Sequence, residues 1–361
     1  MSALKFYPLT VADVREETTD CVSVAFAVPD ELKEAFAFVP GQYLTIRAAI
    51  GGEEARRSYS ICAAPHEHDL RVAIKKVPGG RFSTWANETL KKGDVLEVMP
   101  PTGRFSPRSA MPGRHYLAYA AGSGITPVFA ILKHVLATDP TARFTLIYGN
   151  KNRQSIIFRE AVEGLKNKYL SRLRVHHILS REVMDVPLFY GRIDAARCRD
   201  ISSQLVDVRR VDEAFVCGPE DMILAVREEL IAQGMKAEAV HMELFASPDQ
   251  PKAQHQQWTE EHTEDTGPKS RVSVRLDGVT FDLDLAYNGQ NILDAALAAG
   301  ADLPYACKGG VCATCRARVT EGEATMEVNY SLEADEVRKG FILTCQSHPK
   351  TARVVVDFDA R

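Results

Sequence analysis

Apolar positions along the chain fall into three textures. Up to about residue 108 they come in short runs rich in β-branched and aromatic residues: Cys21–Phe26, Tyr43–Arg47, Leu70–Ile74 and Val95–Val98. Pro40-Gly41, Gly51-Gly52, Pro78-Gly79-Gly80 and Pro100-Pro101 punctuate them, a spacing that predicts an antiparallel barrel or sandwich. One short helix, Ser83 to Leu90 with Ser83 as its N-cap, is predicted to interrupt the strands. From 109 to 245 the strands become continuously apolar, at Tyr116–Ala121, Phe144–Tyr148, Val175–Leu179, Ala214–Cys217 and Val240–Leu244. Helical faces alternate with several of them: Val128, Ile131, Leu132, Val135 and Leu136, then Met222, Ile223, Val226, Leu230 and Ile231, closed by Gly234. Strands buried on both faces and alternating with helices predict a doubly wound parallel sheet.

Residues 246–270 are polar and almost without aliphatic side chains, which reads as a linker, with Trp258 as a single tethering contact. From 271 to 361 a hairpin turning at Asp277-Gly278, a helix from Ile292 to Ala299 ended by Gly300, and a closing strand Arg353–Phe358 suggest a further small domain.

Within that last stretch, Cys307, Cys312, Cys315 and Cys345 form C-x4-C-x2-C followed by a distant fourth cysteine, the plant-type spacing for a [2Fe–2S] cluster. Two irons sharing two sulfides need four converging thiolates, and Gly309 and Gly310 let the backbone wrap closely with N–H groups toward sulfur. Structural zinc usually takes two short C-x2–4-C knuckles, and only one such pair is present. The remaining cysteines, Cys21, Cys62, Cys198 and Cys217, are scattered singly, as free thiols of a reducing, cytoplasmic compartment would be.

A net charge of −4 and 25% charged residues give no electrostatic case for nucleic acid. No apolar run approaches the ~20 residues of a membrane helix, and the start, Met1 to Phe6, lacks a secretory apolar core.

Two further sites follow. Arg57-Ser58-Tyr59-Ser60 offers an aromatic to stack on a flavin, a hydroxyl for its ring and a cation for phosphate, and Gly79-Gly80-Arg81-Phe82-Ser83 adds a helix N-terminus for the pyrophosphate. Gly122-Ser123-Gly124-Ile125-Thr126-Pro127 lies between the first parallel strand and its helix, where a nucleotide phosphate binds, although the third glycine of the usual fingerprint is missing. Ser180-Arg181 ends the third parallel strand; a hydroxyl and a guanidinium there favour the 2′-phosphate of NADPH over NADH. Cys217-Gly218-Pro219 reads either as a small wall beside the nicotinamide or as an ordinary core thiol. Phe245 can cover a flavin face; Glu243 either orients a ring or faces solvent.

In this order, R-x-Y-S, G-G-x-F-S, G-S-G-I-T-P, S-R, C-G-P and the cysteines, the motifs resemble the ferredoxin–NADP reductase superfamily with a fused C-terminal ferredoxin, over essentially the whole chain. Tyr190–Asp194 and Asp212–Pro219 look most like the reductase components of phenylacetyl-CoA epoxidases. The resemblance implies a Greek-key β-barrel for FAD, an α/β domain for NADP and a β-grasp ferredoxin. It implies Arg57, Tyr59 and Ser60 at the flavin, Gly80, Phe82 and Ser83 at its pyrophosphate, and Gly122 to Pro127 at the nicotinamide nucleotide. Ser180 and Arg181 would meet the 2′-phosphate, and Cys217 would lie near the hydride path. Phe245 matches an aromatic that ends related chains lacking the ferredoxin; this chain continues past it. A pyridine nucleotide gives two electrons together and the cluster accepts one, so a flavin between them splits the pair into single-electron steps. The implied acceptor is a di-iron oxygenase acting on phenylacetyl-CoA. The alternatives are a reductase of a Rieske-type or other oxygenase using NADH and FMN, and a non-enzymatic redox sensor or electron carrier.

Overall fold

The computed structural model describes residues 5–108, 111–245 and 268–360. The chain divides into two compact units, and the barrel and the parallel sheet share one of them.

In that unit, six antiparallel strands, β1 (Tyr7–Thr18), β2 (Cys21–Ala27), β3 (Tyr43–Ile50), β4 (Glu53–Ser60), β5 (Leu70–Lys75) and β6 (Val95–Val98), are ordered β4-β3-β6-β1-β2-β5. An antiparallel bridge between Ile61 and Val72 joins the two ends of the order, so the sheet closes into a barrel with Greek-key connectivity. Alternation supplies its core: Leu9, Val11, Val24, Leu44, Ile46, Val72 and Ile74 are fully buried. Two of these strands, β1 and β4, were not apparent as apolar runs, because β4 reads Glu-Glu-Ala-Arg-Arg-Ser-Tyr-Ser and buries little. Helix α1 runs from Arg81 to Glu88 and is capped by Gly80. Ser83 is therefore not the N-cap. It lies inside the first turn, and its hydroxyl accepts from Val77 N (3.1 Å) and donates to Gly80 O (3.2 Å).

The parallel sheet contains β7 (His115–Ala121), β8 (Arg143–Asn150), β9 (Leu173–Leu179), β10 (Glu213–Gly218) and β11 (Val240–Leu244), ordered β11-β10-β7-β8-β9. Helices α2 (Ile125–Thr138), α3 (Arg159–Lys168), α4 (Ala195–Gln204) and α5 (Glu220–Ala232) fall between successive strands. The order reverses between β7 and β10, the topological switch where open α/β sheets bind ligands. Leu117, Ala118, Tyr119, Phe144, Leu146, Ile147, Phe215 and Val216 are almost completely buried, as strands covered on both faces require. Gly234, at φ +101°, closes α5 with its N–H on Ile231 O.

The second unit carries a mixed sheet of β12 (Lys269–Leu276), β13 (Val279–Ala286), β14 (Arg316–Glu321), β16 (Phe341–Leu343) and β18 (Arg353–Asp357), ordered β13-β12-β18-β14-β16, and a ribbon of β15 (Ala324–Met326) with β17 (Ser347–Pro349). The helix Ile292–Ala298 buries Ile292, Leu293 and Ala296 in this unit's core, a β-grasp arrangement. Asp277 and Gly278, both at positive φ, make the hairpin turn. Strand β12 starts at Lys269, inside the stretch read as linker. The rest of that stretch from 246 to 267, Trp258 included, lies outside the described residues. No helix among the described residues is long and apolar enough to cross a membrane.

Candidate functional site

The flavin motif sits at the end of β4. Tyr59 is half-buried with its ring 5.6 Å from that of Phe82, tilted by 42°, and Trp85 meets Phe82 edge-on at 5.6 Å. Phe82 is fully buried, so it fixes Tyr59 rather than offering a ligand surface of its own. Arg57 is half-buried on the same strand and donates to Arg56 O at 2.6 Å. Gly79, Gly80 and the first turn of α1 follow β5 closely, at the place that the sequence motif predicts for the flavin's phosphate anion. Arg81 is not spare for that anion, being paired with Glu53 and donating to Glu54 O.

Ser60 Oγ donates to Glu243 Oε2 at 2.9 Å, tying the barrel's flavin strand to β11. Glu243 is the register partner of Cys217 on β10. Ser60, Cys217 and Glu243 thus gather from β4, β10 and β11. Loss of surrounding water pushes the Glu243 carboxyl up to about 8, the Ser60 hydrogen bond opposing only part of this. Burial, and then the charge of Glu243, push the Cys217 thiol well up, so it is a neutral, small, polarizable group. The motif reading left Cys217 open and Glu243 unassigned; their pairing across two strands distant in sequence is what a local motif does not display.

The glycine-rich turn explains itself by packing. Gly122–Gly124 form a 3₁₀ turn running directly into α2, with Gly122 at φ +53°. A Cβ on Gly124 would stand 2.1 Å from Cys217 O and 2.8 Å from Gly218 N. Only glycine lets this turn lie on the Cys217-Gly218 backbone, so the two motifs are halves of one feature. Ile125, Thr126 and Pro127 are buried in the first turn of α2 and support it; Thr126 Oγ1 donates to Ser123 O at 2.9 Å.

A cleft of about 850 Å³ opens at the carboxyl ends of these strands. It is lined by Gly122 and Ser123, by Ser180 and Arg181, by Gly218 and Pro219, and by Phe245, which is 44% exposed. The structure brings these predicted residues together and adds Lys75, Asn150, Lys151, Tyr190 and Arg192. Lys75 enters from the barrel strand β5, and Tyr190 and Arg192 come from a segment that bridges back to Leu179. Of these, Lys75 and Asn150 carried no local signal in the sequence.

In the second unit the four cysteines come together as two pairs. Cys312 donates a hydrogen bond to Cys307, and Cys345 one to Cys315. No group of three or more Cys, His, Asp or Glu among the described residues is arranged to hold a single metal ion. Cys307 Sγ also accepts from Gly309 N (3.3 Å) and Cys312 N (3.4 Å). The Cys312 thiol, with these N–H groups, outweighs burial and lowers the Cys307 thiol to about 6; donation and burial hold Cys312 and Cys345 high. A loop in which one thiol is already eased toward thiolate and receives backbone N–H groups fits a [2Fe–2S] group, which needs two thiolates at each iron and donors on its sulfurs. The loop is wound by positive φ at Lys308 (49°), Gly310 and Ala313 (52°), two of them not glycine and therefore strained. Gln346, 3% exposed, donates through Nε2 to Lys308 O (3.0 Å) and Cys345 O (2.7 Å), tying the two cysteine-bearing segments. All eight cysteines are free thiols.

The fold and its sites define a modular oxidoreductase. Family models match it in three places: an oxidoreductase FAD-binding domain over 8–106, an oxidoreductase NAD-binding domain over 119–228, and a 2Fe-2S iron-sulfur cluster binding domain over 274–350. The chain belongs to the ferredoxin–NADP reductase-type oxidoreductases that carry a C-terminal [2Fe–2S] domain. It is 47% identical over 358 residues to a component of the 1,2-phenylacetyl-CoA epoxidase of Escherichia coli K12, covering 99% of this chain and 98% of that one. It is 36% identical over 352 residues to the ferredoxin reductase component of 3-ketosteroid-9-alpha-monooxygenase of Rhodococcus rhodochrous, covering 97% and 96%. Phthalate dioxygenase reductase shares the fold over 98% of both chains, with a TM-score of 0.58 at 22% identity.

Proposed function

We propose that the protein passes electrons from NADPH through FAD and a [2Fe–2S] cluster to a di-iron oxygenase acting on phenylacetyl-CoA. The observation that carries this reading is the junction of Ser60, Cys217 and Glu243, where the flavin strand of the barrel meets the nucleotide end of the parallel sheet. When bound, the flavin takes two electrons together from reduced nicotinamide and releases them singly toward the cluster.

The chain's own residues set up that exchange. Tyr59, steadied by Phe82, covers the flavin ring, Arg57 and the N-terminus of α1 hold its phosphates, and Ser60 bonds its polar edge. Glu243, protonated below about pH 8, accepts the Ser60 Oγ hydrogen bond without placing a negative charge beside the ring. Neutral Cys217 leaves room for the nicotinamide. Cys307, Cys312, Cys315 and Cys345 would hold the cluster.

The preference for NADPH rests on Arg181, Lys151 and Arg192, exposed cations that line the cleft with Ser180. Glu182, the nearest acid in sequence, is turned away onto Arg153 (3.0 Å) and so does not offer its carboxylate to a ribose diol. The test is kcat/KM for the two nucleotides with ferricyanide as acceptor: a ratio favouring NADPH by tenfold or more supports the reading, and equal values or a preference for NADH overturn it. The oxygenase assignment draws on the 47% identity to the E. coli epoxidase component and is tested by reconstitution with a phenylacetyl-CoA epoxidase oxygenase. A 3-ketosteroid monooxygenase component serves as the rival acceptor, in view of the 36% relative.

A further inference from the structure

Gln346 follows the last of the four cysteines and is 3% exposed. Its Nε2 lies 2.7 Å from Cys345 O, 3.0 Å from Lys308 O and 3.6 Å from Cys345 Sγ. Two carbonyls at that range fix which end of the carboxamide is which, because an amide oxygen there would meet only acceptors. Two N–H groups thus serve three acceptors, and the carbonyl and sulfur of Cys345, on one residue, are the pair placed to share a donor. Sulfur is larger than oxygen, and 3.6 Å is close to the 3.3 and 3.4 Å at which Cys307 Sγ accepts from Gly309 N and Cys312 N. The rest of the side chain has little freedom. A Cβ on Gly310, at φ +72°, would stand 3.2 Å from Gln346 Cγ, so the stem packs against the loop's glycine. The backbone is held as well, Gln346 O accepting from Glu327 N at 2.8 Å.

A thiolate ligand gains negative charge when the group it holds is reduced, so an N–H donor aimed at its sulfur favours the reduced state and raises the potential. Hydrogen bonds to a charged acceptor are roughly twice as strong as those to a neutral one, so the shared N–H turns toward sulfur as charge builds there. Cys307 Sγ draws donors from the backbone, which side-chain exchange leaves in place. Cys345 Sγ draws on a side chain, which makes the potential adjustable by substitution. We propose that Gln346 is a positioning residue of the electron path. Its carboxamide donates to the Cys345 sulfur and raises the potential of the [2Fe–2S] group, while its bond to Lys308 O holds the loop to the Cys345 segment. The proposal deepens the electron-path reading above and rests on its cluster.

The experiment uses the full chain with its cluster. Glutamine carrying nitrogen-15 in the side-chain amide is incorporated, the protein is reduced with dithionite, and pulsed EPR reads the nitrogens coupled to the reduced centre. A nitrogen-15 coupling in the parent supports the proposal; a labelled parent without one overturns it, and this arm needs no variant to fold. Gln346→Met keeps the stem and length of the side chain and removes both donors. It should lose the coupling. In a redox titration followed by EPR, its cluster should be about tenfold harder to reduce, which is about 59 mV for a one-electron couple, with the flavin midpoint unchanged. A cluster potential equal to the parent's, or a flavin midpoint that moves with it, would overturn the donor role. Should the variant not keep its cluster, the coupling in the labelled parent decides alone. A parent that gives no [2Fe–2S] signal with dithionite would instead contradict the cluster reading beneath the proposal.

Discussion

Glu213 and Glu243 lie near opposite ends of adjacent strands in the parallel sheet, and their surroundings differ. At the amino end of β10, Glu213 is 3% exposed and accepts from Arg114 Nη1 (2.7 Å), His241 Nε2 (2.8 Å) and Arg108 N (3.0 Å). Burial alone would raise its carboxyl; the hydrogen bonds from His241 and Arg108 and the charges of His241 and Arg114 outweigh it and hold the group below the ordinary 4.5. At the carboxyl end of β11, Glu243 has Ser60 alone against its desolvation and rises to about 8. The same edge holds the cations of the cleft. One end of the sheet satisfies its buried polar groups and is built for stability. The other leaves Glu243 with Ser60 alone beside a cleft lined by cations, which is how a binding edge is recognised in a fold.

The largest effect that sharpens this contrast is expected at the satisfied end. Glu213→Ala strands Arg114 and buried His241 without their carboxylate and should cost about 3–5 kcal/mol, measured by urea unfolding. The surviving folded protein should keep its nucleotide preference; a changed NADPH-to-NADH ratio would blur the division between the two ends. Next, Arg181→Leu should lower kcat/KM for NADPH about 10–100-fold, the span of one to two charge-assisted contacts, and leave NADH nearly untouched. An equal fall for both nucleotides would assign Arg181 to general attraction rather than to the 2′-phosphate.

The smallest effect is a matter of sign with pH. Glu213, lowered in the fold, contributes stability above about pH 4.5 that is lost as pH falls through its folded value. Glu243, raised in the fold, binds its proton more tightly folded than unfolded, so stability falls as pH rises from about 4.5 through 8. Glu243→Gln still accepts the Ser60 hydrogen bond but cannot ionise, and should therefore be relatively more stable than the parent at pH 9 than at pH 6. It should also lack any inflection near pH 8 in the rate of flavin reduction by NADPH. An inflection retained in the variant would place the titration elsewhere.

Much of this was legible in the sequence because it is written locally. The cysteine spacing, the Gly-Ser-Gly turn, Ser180-Arg181 and the alternation of apolar strands with helices each depend on neighbours a few residues away. The missed features depend on partners far along the chain. The polar start of strand β4, Glu53-Glu54, does not announce itself, since pairing with β3 rather than burial defines it. Ser83 has the chemistry of an N-cap, yet the glycine before Arg81 starts the helix earlier and turns its hydroxyl into the loop. Glu243 acquires its elevated proton affinity from Ser60, Cys217 and enclosure, none of which is near it in sequence. Glycine was the expected means of winding the cluster loop, but Lys308 and Ala313 also adopt left-handed backbone, a strain no residue type advertises.

The central claim is that electrons entering as NADPH leave through the Cys307–Cys345 loop by way of the flavin. An anaerobic titration with NADPH, followed by absorbance and then EPR in the parent and in Cys345→Ser, tests it directly. The account predicts flavin bleaching in both proteins and the rhombic signal of a reduced [2Fe–2S] centre in the parent alone. A parent whose cluster stays oxidised while its flavin is fully reduced, or a variant that keeps the parent's full signal, would contradict it.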